Sequence, residues 1–425
     1  MSAIDTDEQQ FAPLIDLQWW QERPADRSEL YRRLREAGGP VFVRTNRPDS
    51  PVPRGFWAVG SHRDVSNISR RPEEFSSGQG TQIFDQPPRL REYRGSIIDM
   101  DNPEHARLRK IVNRGFTPRS LEVLREDVAH TTRELIASVA EQGEIDFTTA
   151  VAAPLPLRIV NNMLGIPAEH EQYIFEQTNI IMGASDPEYI PDQSPRAVAT
   201  AVEAAGEGLA NLLAELAEER IAAPRDDLIT KLVAARGEEV LTPAEMARFF
   251  ILLVGAGNET TRNAISHGLL ALTRFPDQRE LWRSDPATWT GPAIEEMVRW
   301  ASPVLHFRRT VTRDGVRLGD QEFSEGGKVV LWYRSANQDE DVFPDATRLD
   351  IRRQPNPHLG FGAPGPHFCL GANLARLELS VVFPMLLELL PDIEAVGEPE
   401  LLRSNLLHGI KHLPARFTPT TVAGA

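Results

Sequence analysis

The stretch Phe361-Gly-Ala-Pro-Gly-Pro-His-Phe-Cys-Leu-Gly-Ala-Asn-Leu-Ala-Arg376 holds the only cysteine of a 425-residue chain. Glycines and prolines keep the backbone open up to Cys369, and a helical pattern begins just after it. The sulfur is therefore expected at a helix N-terminus, where backbone N–H groups and the positive end of the helix dipole favour a thiolate. A lone cysteine cannot form an internal disulfide, and it falls short of the four ligands of structural zinc. Most lone cysteines are inert core side chains. The other reading of a single thiolate in a rigid apolar loop is an axial ligand of haem iron.

Three further constellations lie upstream. Ala256-Gly-Asn-Glu-Thr-Thr261 falls inside a long helical pattern that opens at Thr242-Pro-Ala-Glu245. Thr242 is placed as N-cap, Pro243 as first helical residue and Glu245 as the partner that completes a capping box. The helix is expected to run to about Phe275, roughly 50 Å. Gly255 and Gly257 either open it locally before the acid and the threonines, or admit close packing of a neighbour. Glu296 and Arg299 are three apart on one helix face, a spacing that usually marks a solvated surface pair. His105 and Arg109 are four apart, one above the other on a helix, and on their own could be no more than a basic face.

Lys+Arg 46 against Asp+Glu 61 give a net charge of −15, which disfavours nucleic acid and anionic membrane surfaces. The start of the chain lacks the basic and apolar regions of a signal peptide. The longest apolar runs, such as Phe249–Val254, fall far short of a bilayer span. One cysteine fits a reducing cytoplasm. Without a low-complexity linker or a repeat, residues 1–425 are expected to form a single large unit, mainly α with a small β region. Short strands are expected at Val41–Val43 and Phe56–Val59, with a turn over Asn46–Gly55, and further strands within 310–333. A loop is expected over Ser76–Arg94, and helices from Pro103 to Arg236 with Gly237 ending the last. Pro384 should kink or split the helix after Cys369, and the tail Leu406–Phe417 suggests a hairpin.

In their order and spacing these motifs resemble the haem-thiolate monooxygenases, the cytochrome P-450 superfamily. Gly365, His367, Cys369 and Gly371 match its haem loop, whose phenylalanine falls at Phe361, one step further from the cysteine than usual. Val254–Gly268, Val298–Pro303, Pro355–Gly362 and Leu407–Pro414 are similar to the actinobacterial hydroxylases of methyl-branched lipids. The resemblance implies the cytochrome P-450 fold, with one long central helix and an enclosed haem b whose iron is held by Cys369. It implies that His105, Arg109, Arg309 and His367 hold the haem propionates, with Gly371 beside the ligand. Thr260 would lie beside bound dioxygen, with Glu259 as acid of a proton relay, while Thr261 is structural. Glu296 and Arg299 become a buried structural pair with Arg348 or His358 as third partner.

The implied activity is hydroxylation of an unactivated C–H bond of an apolar substrate, a methyl-branched or isoprenoid lipid, with O2 as co-substrate. Electrons would come from NAD(P)H through a separate ferredoxin reductase and ferredoxin, to a monomeric cytoplasmic enzyme without a membrane segment. A tailoring hydroxylase or epoxidase of a macrolide, terpene, sterol or peptide is the alternative within the class. A non-catalytic haem sensor or carrier is the alternative outside it, and it would have no need of the Glu259–Thr260 pair. Ile97, Ile98, Met100, Leu252, Ala256, Val304, Leu305 and Leu407 are the expected apolar pocket wall, though each could be ordinary core. Arg107, Lys110, Arg114 and Arg376 form an expected basic docking patch for the donor.

Overall fold

A computed structural model describes residues 9–45, 55–86, 96–116, 118–234 and 240–422. The expected turn over 46–54, the second half of the 76–94 loop and Gly237 lie outside the described residues.

Helices dominate. The helix Pro243–Arg274 runs through the middle and carries the expected N-terminal cap: the Thr242 hydroxyl accepts from the Glu245 N–H at 3.2 Å, and the Glu245 carboxylate accepts from the Thr242 N–H at 2.8 Å. Most of its second half is buried, because helices Pro154–Leu164, Glu171–Met182, Pro195–Ala222, Pro286–Ala301 and Ala372–Leu389 all pack on it. Glycine makes two of these approaches possible. A Cβ on Gly268 would lie 2.3 Å from the Phe383 ring, and one on Gly257 would lie 3.0 Å from Val160. The helix stays continuous through residues 255–261, so close packing, not a local opening, explains Gly257. Helix Ala372–Leu389 likewise continues through Pro384 and is not split.

The β region is small. A five-stranded mixed sheet joins Val41–Arg44, Gly55–Val59, Lys328–Trp332, His306–Val311 and Phe75–Ser76 in that spatial order. Residues 316–318 and 321–323 form a separate hairpin. The expected tail hairpin is not formed. Ile410–His412 pairs with Glu400–Leu401, whereas Pro414–Arg416 pairs with Glu144–Asp146 and Glu394–Ala395. The break at Leu413 sends the two short strands to different partners, and those long-range pairings outcompete the local turn. Among the described residues, no helix is long and apolar enough to cross a membrane.

Candidate active site

The cysteine loop is fixed by its own backbone. The Cys369 N–H donates to the Phe361 carbonyl at 2.9 Å, closing the loop on itself. Gly362 has φ +85°, a conformation that strains any L side chain, which accounts for a glycine there and Phe361 one step earlier. Phe361 is buried, stacks under the Arg376 guanidinium at 4.4 Å and lies 6.5 Å from Phe368, centroid to centroid. Gly371 caps the following helix, and a Cβ there would meet nothing within 4 Å.

Cys369 is solvent-accessible, with the Gly371 N–H, Arg109 and Arg376 around its sulfur. Burial raises its pKa, against the opposing effects of the Gly371 N–H, Arg109 and Arg376. Desolvation thus opposes the thiolate that the helix end favours, and a cation beside the sulfur would favour it.

Close to the cysteine loop four cationic or imidazole groups converge. The His105 and His367 rings are 4.3 Å apart. Arg109 reaches the cysteine loop through the carbonyls of Pro366 at 3.1 Å and Phe368 at 2.5 Å. Arg309 is buried and bonds the Arg308 carbonyl at 2.9 Å and the Tyr333 hydroxyl. Burial, then Arg309, His105 and Arg109, push His367 down to about 3. Burial and Arg109 lower His105, whose Nε2 is buried without a partner. Among the described residues no carboxylate pairs with any of these four. Two arginines and two histidines brought together without an acid, beside a single thiol, are a donor set that fits haem, whose iron takes a thiolate and whose rim carries two carboxylates.

Glu296 and Arg299 are fully buried and meet through two bonds of 2.7 Å. The third partner is neither Arg348 nor His358. Arg353 closes on both Glu296 oxygens at 3.2 and 3.3 Å, and Asn356 adds a bond at 3.1 Å. Arg348 gives only its carbonyl to Arg299 and sends its side chain to Asp277, while His358 bonds Glu295. Arg299 also donates to the carbonyls of Asn337 and Ala346, so the pair ties three chain segments together.

On the central helix, the Thr260 hydroxyl donates to the Ala256 carbonyl at 2.7 Å, and both residues line a cavity of about 700 Å³. Glu259 points elsewhere. It is buried, paired with Arg262, which also bonds Asn179 at 3.1 Å, and burial holds its pKa up against that pairing. Five of the eight expected wall residues line the cavity: Ile98, Leu252, Ala256, Val304 and Leu407. Val304 and Leu407 are bridged backbone to backbone. Ile97 and Met100 instead line a small separate space against Leu108 and Phe249, and Leu305 is core beside Trp332. Adjacent residues of an extended segment face opposite ways, so Leu305 could not join Val304. The apolar wall also includes Ile181, Met182, Val198 and Val202, on helices whose pattern alone does not tell wall from core. Of the expected basic patch, Arg107 pairs with Glu245 and Arg376 with Glu295, the Arg114 side chain is outside the described set, and Lys110 is exposed.

The protein-family model for cytochrome P-450 matches residues 11–283 and 289–390. The chain belongs to the cytochrome P-450 family. It is 44% identical over 388 residues, 90% of this chain and 89% of the relative, to a methyl-branched lipid omega-hydroxylase of Mycobacterium tuberculosis. It is 43% identical to a steroid C26-monooxygenase of Rhodococcus jostii, over 85% of this chain and 76% of the relative. A Mycobacterium marinum cytochrome P-450 solved in complex with pseudoionone superposes with a TM-score of 0.88 at 38% identity, covering 94% of this chain and 97% of that one. The chain is a haem-thiolate monooxygenase that uses dioxygen, and its fold is the mainly α cytochrome P-450 fold expected from the motifs.

Proposed function

We propose that this cytochrome P-450 hydroxylates a chain-like apolar substrate, a methyl-branched or isoprenoid lipid, and that residues 1–425 act as one unit. The observation that carries this reading is the cavity of about 700 Å³ whose lining joins Ala256 and Thr260 to aliphatic side chains from two flanking helices. The mycobacterial methyl-branched lipid omega-hydroxylase is similar over nine-tenths of this chain, which supports the same substrate class.

Haem b held by Cys369 supplies dioxygen activation and oxygen insertion, and the protein supplies orientation, protons and exclusion of water. Cys369 is the ligand, in a loop closed by its backbone bond to Phe361. His105, Arg109, Arg309 and His367 hold the two carboxylates. The Thr260 hydroxyl presents an exchangeable proton to the cavity while it is held by the Ala256 carbonyl. Glu259 serves as the buried proton source, and delivery requires its carboxyl to leave Arg262. Leu252, Val304 and Leu407 press the substrate toward Ala256. Electrons come from NAD(P)H by way of a ferredoxin reductase and a ferredoxin that docks near Lys110, on a monomeric cytoplasmic enzyme.

A binding panel of branched fatty acids, isoprenoids, sterols and macrolides, read by the haem spectrum and followed by product analysis, tests the reading. Tightest binding of branched acyl or isoprenoid chains, with oxygen at a terminal carbon, is expected. Turnover of macrolides alone would overturn it.

A further inference from the structure

We propose that Arg403 is a specificity-determining residue that binds a carboxylate head group, so that the cavity selects free acids among acyl chains; this rests on the acyl-chain reading above and narrows it. Among the described residues the cavity lining contains two arginines, Arg308 and Arg403, and their situations differ. Arg308 is buried and saturated: it bonds Asp85 at 2.6 Å and the Gly80 carbonyl at 3.1 Å, and also the Gln79 carbonyl. Arg403 is half-buried, forms no ion pair with any described residue, and its Nε is buried without a partner. A half-buried guanidinium that lines the cavity without an ionic partner is a ready site for a carboxylate, which its terminal N–H groups can hold in a bidentate pair.

The acids that could neutralise it are engaged. Asp186 accepts the backbone N–H of Arg403 at 2.8 Å and is held by Lys411 at 3.3 Å, so it fixes where the residue sits and leaves the side chain to the cavity. Asp16 caps a helix through the N–H groups of Gln18 and Trp19. Asp85 is shared by Arg308 and Lys328, and Asp99 accepts from Thr81 at 2.8 Å.

The reacting end lies in the same cavity. Four residues after Arg403, Leu407 bridges to Val304, and both share the lining with Ala256 and Thr260. Four residues reach about 14 Å at full extension, and the bonds from the Leu406 and Leu407 N–H groups to the Ser404 hydroxyl shorten the turn. A head group on Arg403 and an apolar tail against Ala256 are thus contacts available to one ligand. The head group fixes which carbon reaches the reacting end, because the guanidinium anchors the chain at a set position.

The test compares a long methyl-branched fatty acid with its methyl ester on the holoenzyme, as dissociation constants from the substrate-induced haem spectrum and from equilibrium dialysis. In Arg403→Gln the acid-to-ester affinity ratio should fall roughly ten- to a hundredfold, through weaker acid binding alone. Retained ester binding shows that the variant is folded, and its backbone bond to Asp186 does not need the arginine side chain. Arg403→Lys, which keeps the charge without the planar fork, should lose part of the ratio. An unchanged ratio in Arg403→Gln overturns the proposal while the acyl-chain reading stands. Wild-type enzyme that binds a sterol but neither acid nor ester overturns both.

Discussion

Glu378→Gln should make this protein more stable as the pH rises. Glu378 is buried on helix Ala372–Leu389, and burial pushes its pKa up to about 8, against the hydrogen bond from Thr261. Its Oε1 has no partner. A carboxyl whose folded pKa lies above its unfolded value binds its proton more tightly in the native state. Its contribution is therefore fully present below about pH 4.5 and is lost as pH rises toward about 8. At about 1.4 kcal/mol per pH unit the whole effect is capped near 5 kcal/mol, and about 2–3 kcal/mol of it falls between pH 5 and pH 7. Glutamine is neutral at every pH and can still accept from Thr261. Urea unfolding of the wild-type and variant holoenzymes, followed by circular dichroism at pH 5, 6 and 7, isolates this group, because every other titration is common to both. The variant's advantage should widen steadily over that range. Parallel stability curves would refute the reasoning and would mean that Glu378 is solvated or paired in solution.

Three other outcomes follow from the site and its packing. Thr260→Ala should keep haem content and substrate binding close to wild type, because the hydroxyl bonds only the Ala256 carbonyl, while product per electron falls and peroxide rises; product per electron at the wild-type level would remove Thr260 from proton delivery. Gly268→Ala places a methyl 2.3 Å from Phe383 and should cost about 1–3 kcal/mol in urea unfolding, with Phe383→Leu in the same chain restoring much of it. Arg353→Ala strands part of a buried carboxylate charge and should lower both stability and haem retention by a margin that Arg353→Lys partly recovers, measured as the haem-to-protein ratio after dialysis.

Local chemistry was legible in the sequence, and long-range partnership was not. The start of the central helix could be read from Thr242, Pro243 and Glu245 because all three act within one turn. The loop before Cys369 could be read because its glycines and prolines act on their own backbone. Arg353 was missed as the partner of Glu296 because 57 residues separate them and nothing local distinguishes it from Arg348. The Glu259–Arg262 pair did have a signal, an acid and a guanidinium three apart on one helix, the same spacing that marked Glu296 and Arg299. The wall residues Ile181, Met182, Val198 and Val202 carry the apolar periodicity of any packed helix, so only the fold separates cavity from core. The thiol of Cys369 shows the limit of local electrostatics: the helix end favours the anion, but desolvation opposes it.

The account rests on Cys369 as the iron's ligand, and the absorption spectrum of the reduced, carbon-monoxide-bound protein tests that most directly. The wild type should show the strongly red-shifted Soret band of a thiolate-ligated haem, and Cys369→Ser should lose it, since the chain has no second cysteine to take over. A wild-type spectrum of the histidine-ligated kind, or a red-shifted band that survives in Cys369→Ser, would contradict the account.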